Sequence, residues 1–262
     1  MRLAVCLKLV PSPSAHLPWA AAGPDLSVLD LELNPYDGLA LEAALSLRDS
    51  RGGEFSALCV GGAEQTPALH LALALGAAEV RRVDAPGADA PAAAKCAAAA
   101  LRSENLDLVL CGRRACDDDL EFFPAALAEL LGWPLARGVC FIEPPGADGA
   151  WLCRRRSEAG EELLAVRAPA VVSVDRGCYV LREPGIRARL AAKRGSICVR
   201  TPAELGLPAE QLAPAFRAVK SEPPPARAPR RILESAPRQA AAELARIIRR
   251  ELEQAQRPKG TK

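Results

Sequence analysis

Phe55-Ser56-Ala57-Leu58-Cys59-Val60-Gly61-Gly62 is an apolar run of strand length that ends in a paired glycine turn. The chain then takes on helical spacing from Glu64 to Leu75 and is closed by Gly76, the residue type that most readily accepts the left-handed turn at a helix end. Val80 to Val83 reads as the next strand. A strand, a helix of this length and a second strand make a βαβ unit, which requires a parallel sheet and a right-handed crossover.

The pattern repeats in both directions. Upstream, Leu3 to Leu9 is an apolar strand, and Val10-Pro11-Ser12-Pro13 ends it because proline cannot continue a central strand. After a loop to about Leu33, Asn34-Pro35 reads as a helix start, with Asn as cap and Pro at the first helical position. Leu39, Leu41, Ala44, Leu45 and Leu47 follow at helical spacing until Arg51-Gly52-Gly53. Downstream, an Ala-rich helix from Ala90 to Arg102, a strand from Leu106 to Cys111, a polar loop from Gly112 to Asp119 and a helix from Leu120 to Leu131 complete an α/β half. The sheet is therefore open and mainly parallel, with helices on both faces.

The second half differs. Val139 to Ile142, Trp151 to Arg156 and Glu162 to Val166 read as short strands joined by turns, a small antiparallel excursion, and Ala170 to Val174 rejoins the main sheet. Pro202 to Pro237 is proline-rich and reads as extended. A last helix from about Arg238 to Gln254 carries Leu244, Ile247, Ile248 and Leu252 on one face. This organisation separates an α/β domain of nucleotide-binding type over residues 1–200 from a C-terminal arm and helix over 201–262, which suits docking on a partner chain.

The 34 basic and 32 acidic residues leave a net charge of +2, and aromatics are 4%, so neither charge nor stacking surface points to nucleic acid. No apolar stretch is long enough to cross a bilayer. The N-terminal residues read as a strand and not as a secretory leader, which places the protein in the cytoplasm. The nine cysteines contain no C-x-x-C pair, and those within strands (Cys6, Cys59, Cys111) read as small hydrophobes. The two histidines, His16 and His70, make a histidine-based metal site or hydrolase an unfavourable reading.

Ligands of open parallel sheets bind beyond the carboxyl ends of the strands. Four segments meet there: Cys6 to Lys8, Asn34-Pro35-Tyr36-Asp37, Val60-Gly61-Gly62 and Gly112 to Phe123. No G-x-G-x-x-G, no G-x-x-x-x-G-K-[ST] and no G-x-S-x-G is present. Asp117-Asp118-Asp119 has two readings. Clustered carboxylates suit Mg²⁺, but three adjacent side chains diverge, and capping of the next helix by Asp118 or Asp119 is the favoured one.

Taken in order, these segments resemble the electron-transfer flavoprotein β subunit family, including its nitrogen-fixation-associated branch. Val5-Cys6-Leu7-Lys8 with Val10-Pro11 is similar to the family's opening Val-Ala-Val-Lys and Val-Pro. Asn34-Pro35-Tyr36-Asp37 with Ala40-Leu41-Glu42-Ala43-Ala44-Leu45 resembles Asn-Pro-Phe-Asp-x-x-Ala-Leu-Glu-x-Ala-Leu. Val60-Gly61, Ala72 to Ala77, Asp107 to Gly112, Asp117 to Asp119, Leu131-Gly132-Trp133-Pro134, Pro169 to Val172 with Asp175, and Ala191 to Arg194 continue the likeness over essentially the whole chain.

The resemblance implies an adenine-nucleotide α-hydrolase-like fold and a heterodimer with an α subunit. The pair would carry electrons on a shared FAD from flavin dehydrogenases to an acceptor such as a quinone reductase. It implies a carrier subunit with no catalytic residue of its own, and AMP, or a second FAD in bifurcating members, in the β subunit. Carried over by position, that nucleotide touches Cys6, Asn34, Pro35, Tyr36, Asp37, Val60, Asp117, Asp118, Asp119, Leu120, Phe122 and Phe123. Two stretches depart from the family. Phe122-Phe123-Pro124 replaces Gln-Thr-Gly or Gln-Val-Gly, removing side-chain donors and one backbone donor. In place of the partner-recognition Asn-x-Pro-Arg-Tyr, the stretch Cys178 to Pro184 keeps only Arg182 and Pro184. Other readings are a regulatory nucleotide-binding module resembling universal stress proteins, whose phosphate loop the Gly112 segment lacks, and a β-subunit paralogue that has lost its nucleotide.

Overall fold

The computed structural model describes residues 1–255 except 21, 22, 26, 27, 147, 217, 218, 224, 226–229 and 231. In chain order its elements are β1 (Arg2–Leu7), β2 (Leu9–Pro11), β3 (Trp19–Ala20), β4 (Gly23–Pro24), β5 (Leu31–Leu33), α1 (Pro35–Arg51), β6 (Glu54–Gly61), α2 (Thr66–Ala74), β7 (Glu79–Asp84), α3 (Ala90–Leu101), β8 (Leu108–Gly112), α4 (Phe123–Leu131), β9 (Leu135–Glu143), β10 (Ala150–Ser157), β11 (Gly160–Arg167), β12 (Ala170–Val174), α5 (Ile186–Ala192), β13 (Cys198–Arg200) and α6 (Pro237–Ala255). Nine strands form one sheet in the order β11-β10-β9-β12-β8-β1-β6-β7-β13. All neighbours run parallel except β10, which is antiparallel to both β9 and β11.

Strand alternation divides the core in two. On β1, Leu3, Val5 and Leu7 join Leu108, Leu110, Phe55 and Ala57 in one cluster with Leu41 and Leu45 of α1 and Leu69 of α2. Ala4, Cys6, Val109 and Cys111 point the other way, into a second cluster with Cys96, Ala97 and Leu101 of α3 and Leu127 of α4. Strands buried on both faces show no polar alternation, which is why Leu3 to Leu7 and Leu108 to Cys111 are continuously apolar. The chain places β6 and β7 on one side of β1, then crosses back to place β8 and β12 on the other. The β1/β8 boundary is thus the point where strand order reverses.

The expected parallel half, the excursion and the return strand are all present. Some boundaries moved for identifiable reasons. The first strand ends at Leu7, because Lys8 turns the chain into β2, which pairs antiparallel with β5. The helix expected from Leu120 begins at Phe123, since Asp119 and Glu121 both hold positive φ (54° and 52°), a conformation no helix continues. Within the expected extended stretch 202–237, residues Ala203–Leu205 and Ala209–Leu212 are single 3₁₀ turns, and several other positions lie outside the described residues. Helix α5 and edge strand β13, which pairs with β7, had no clear sequence signal.

The chain divides into two compact units, residues 1–221 and 222–262. The second contains α6, on which Leu244, Ile248 and Leu252 are about half exposed. Among the described residues no helix is long and apolar enough to cross a membrane.

Segment 178–184 is fixed to α1 by one ion-pair network. Arg182 donates from its backbone N–H (3.0 Å) and its guanidinium (2.6 Å) to the Glu42 carboxylate, and also reaches Asp49 at 2.6 Å. The Glu42 side chain is 9% exposed and that of Arg182 43%. Removing the cation therefore leaves a buried carboxylate unpaired, whereas removing the carboxylate leaves a solvated Arg182 still paired with Asp49. Chemical denaturation should find Arg182→Met destabilising by about 2–3 kcal/mol and Glu42→Met by less than half of that.

Candidate functional site

At the carboxyl ends of β1, β6 and β8 lies an open cleft whose envelope, counted with the space open to solvent, is about 760 Å³. It sits at the reversal of strand order, where ligands of such sheets bind. Cys6, Leu7, Cys111 and Gly112 form its floor, Leu58, Val60, Ala93 and Ala97 one apolar wall, and Leu120, Phe122, Phe123 and Pro124 the facing wall. Lys8, Asn34, Asp37, Arg114, Asp118 and Glu121 supply its polar groups.

Asp37 ties the floor together. Its carboxylate accepts from the backbone N–H of Lys8 at 2.8 Å and of Gly112 at 3.1 Å, joining the start of α1 to the ends of β1 and β8. This contact requires glycine at 112. A Cβ there would lie 2.3 Å from Asp37 Oδ1 and 2.8 Å from its backbone N. Burial pushes the Asp37 carboxyl up to about 7, against the opposing hydrogen bonds from Asn34, Lys8 and Gly112 and the Lys8 charge.

Asn34 stands at the cap position of α1, but its side chain does not cap the helix. Its amide donates to Arg114 O at 2.8 Å and its carbonyl accepts from Cys116 N–H at 3.3 Å. The residue that sequence reads as a cap is instead the clasp of the 112–119 loop.

The Asp-rich run likewise does not cap the next helix. Among the described residues no group of three or more His, Cys, Asp or Glu is placed to hold a metal ion. Asp117 pairs with Lys8 Nζ at 2.6 Å, and Asp119 pairs with Arg114 at 2.9 Å. Asp118 closes its own turn by accepting from Leu120 N–H at 3.1 Å, while α4 starts only at Phe123 with no side-chain cap. Glu121 pairs with Arg113 at 2.9 Å and with Arg137. The rim is therefore charge-balanced. Left-handed Glu121 followed by right-handed Phe122 is the backbone alternation that makes successive N–H groups converge on an anion. Phe122 and Phe123 supply no side-chain donor and Pro124 no N–H, so any phosphate here is held by main chain.

Of the residues singled out in the sequence, Cys6, Asn34, Asp37, Val60, Asp118, Leu120, Phe122 and Phe123 line the cleft. Pro35, Tyr36, Asp117 and Asp119 are not among the lining residues. Tyr36 is buried, with Arg114 at 2.9 Å from its hydroxyl and the Arg114 and Arg176 guanidinium groups 5.1 and 5.5 Å from its ring centroid. Sequence reading placed Arg114 only within the Gly112 to Phe123 segment and missed the α3 alanines. Alanine at each α3 position of the lining, Ala90, Ala93 and Ala97, leaves room for a flat ligand, and the Ala92-Ala93-Ala94 and Ala97 to Ala100 runs were the available signal. All nine cysteines are unpaired. The Cys111 thiol is held well above its usual range, first by its hydrogen bond to Cys6 and then by burial, so the floor carries no thiolate there.

Residues 27–205 match the family model described as Electron transfer flavoprotein domain. The chain is similar to proteins named "Electron transfer flavoprotein subunit beta" from several organisms. It is 33% identical to that of Clostridium acetobutylicum over 191 residues, 70% of this chain and 71% of the relative. It is 32% identical to that of Syntrophomonas wolfei over 168 residues, 63% of this chain and 66% of the relative. It is 27% identical to that of Bacillus subtilis over 223 residues, 84% and 86% of the two chains.

Gly112→Ala should lower stability by about 1–3 kcal/mol in denaturant titrations, because backbone and carboxylate must both retreat. The Asp37 carboxyl also makes stability pH-dependent with a definite sign. Its folded value of about 7 lies above the ordinary 3.8, so the folded state binds this proton more tightly than the unfolded chain. Its contribution is full at low pH and is lost as pH rises through about 7. Unfolding measured near pH 5 and near pH 8 should show wild type losing stability relative to Asp37→Asn as pH rises.

Proposed function

The chain belongs to the electron transfer flavoprotein family, among its beta subunits, and from that premise we propose that it pairs with an α subunit and holds an adenine nucleotide in the cleft at the β1/β8 boundary. The observation that carries the nucleotide reading is the cleft itself: an apolar slot facing aromatic residues, floored by three stitched strand and helix ends, with a main-chain anion cradle at residues 121–123.

In this reading the nucleotide is AMP, or a second FAD, and is contacted by Cys6, Asn34, Asp37, Val60, Asp118, Leu120, Phe122 and Phe123. Pro35, Tyr36, Asp117 and Asp119 support the segments that those residues stand on. The FAD shared with the α subunit supplies the electron-carrying chemistry when bound. The chain's own residues bind, orient and exclude water; none is assigned to bond making. It is thus a carrier subunit and not an enzyme, taking electrons from flavin dehydrogenases and passing them to an acceptor such as a quinone reductase.

The arm over residues 201–262 is assigned to docking on the α subunit, on the strength of the half-exposed Leu244, Ile248 and Leu252 of α6. Unpaired thiols at all nine cysteines suit a reducing compartment, and the protein is assigned to the cytoplasm. A second reading, a paralogue that pairs but has lost its own nucleotide, is favoured by one feature, the loss of donors at Phe122-Phe123-Pro124.

Mass analysis of nucleotides released on denaturing the chain, alone and co-purified with a candidate α subunit, separates these readings. About one AMP per β chain with about one FAD per pair is the expected result. FAD without AMP selects the paralogue. No flavin under any pairing condition contradicts the carrier assignment.

A further inference from the structure

Beyond the lining residues, an exposed aromatic ring is fastened at the mouth of the cleft. Asp89 lies between two lining residues, Ala88 and Ala90, at the start of α3. One of its oxygens caps that helix, accepting from Ala92 N–H at 3.0 Å. The other is not needed for capping, and accepts from Ala215 N–H at 2.6 Å and Phe216 N–H at 3.3 Å. The segment it receives is already seated on α3. Lys95 Nζ donates to Gln211 O at 2.7 Å, and Leu205, Leu207 and Leu212 pack on the α3 cluster.

The result is that Phe216 meets Phe122, a lining residue, edge to face, with ring centroids 6.2 Å apart and planes at 88°. Phe216 nevertheless remains 54% exposed. A large apolar ring whose backbone is held to a carboxylate by the Ala215 and Phe216 N–H groups, yet which is left half in water, gains little from the fold alone. Perpendicular aromatic rings at a cleft mouth present one face and one edge, an arrangement that receives a planar heteroaromatic ring between them and the alanine wall.

We infer that Phe216 is a ligand-contacting residue of this cleft, which with Phe122 forms an aromatic mouth that retains a planar heteroaromatic ring, and that Asp89 is the latch holding it there. The inference rests on the reading of the cleft as a nucleotide site, and adds to it a residue outside the α/β core and a retention device. It also makes residence time, more than initial capture, the property Phe216 controls.

The test uses the full chain paired with its α subunit, loaded with labelled AMP in one arm and with FAD in the other, and chased with excess unlabelled ligand. Three variants are compared with wild type: Phe216→Ala, Phe216→Tyr and Asp89→Asn. Asparagine keeps the α3 cap but turns the second oxygen into a donor that faces two N–H groups. The expected result is release about ten-fold faster or more in Phe216→Ala and Asp89→Asn, for whichever ligand the wild type retains, with Phe216→Tyr near wild type and melting temperatures unchanged. Retention of AMP, or of a second FAD beyond the one shared with the α subunit, tells which nucleotide the cleft holds. Wild-type release rates in Phe216→Ala, with ligand demonstrably bound, overturn the inference and leave the nucleotide site standing. Failure of the wild type to hold AMP or a second FAD, with the shared FAD in place, overturns the nucleotide site as well.

Discussion

A buried carboxylate holds the ends of two central strands and the start of a helix at the β1/β8 boundary, where strand order reverses. Asp37 accepts from Lys8 and Gly112, and the approach is close enough that position 112 tolerates no side chain. Neither strand end can shift without stranding a backbone donor in the interior. Everything built on this floor inherits its position. Asn34, three residues before Asp37, clasps the 114–116 loop, Arg114 on that loop covers Tyr36, and Lys8 draws in Asp117.

The same constraint explains the electrostatic character of the cleft. A carboxylate in a dry floor is kept by hydrogen bonds, and its raised proton affinity is the sign that burial outweighs them. Around it the rim pairs each acid with a base, Asp117 with Lys8, Asp119 with Arg114, and Glu121 with Arg113 and Arg137. Selectivity in such a site comes from shape and from main-chain donors more than from net charge. That suits the nucleotide proposed for this cleft, which has to be held and oriented.

Much of the architecture was legible because parallel strands buried on both faces are continuous apolar runs and their crossover helices have helical spacing. Leu108 to Cys111 and Phe55 to Val60 could be read as little else. The cleft's location followed from topology, and eight of the twelve singled-out residues line it, as Cys6, Asn34, Asp37, Val60, Asp118, Leu120, Phe122 and Phe123 attest. What failed was local grammar under tertiary control. Asn34 and the Asp run have the composition of helix caps, but long-range partners at Arg114, Cys116 and Lys8 claim their side chains. The start of α4 was misplaced because positive φ at Asp119 and Glu121 is invisible in residues that so seldom adopt it. Phe216 was illegible because its meaning depends on Asp89, 127 residues away.

An experimental structure of the chain co-purified with its α subunit tests most directly whether the proposed nucleotide lies above Asp37 and Gly112. The expected result is density for an adenine nucleotide with its ring between the α3 alanines and Phe122, and its phosphate on the N–H groups of residues 121–123. A pair whose only nucleotide lies in the α subunit, with the space above Asp37 and Gly112 filled by water alone, would contradict it.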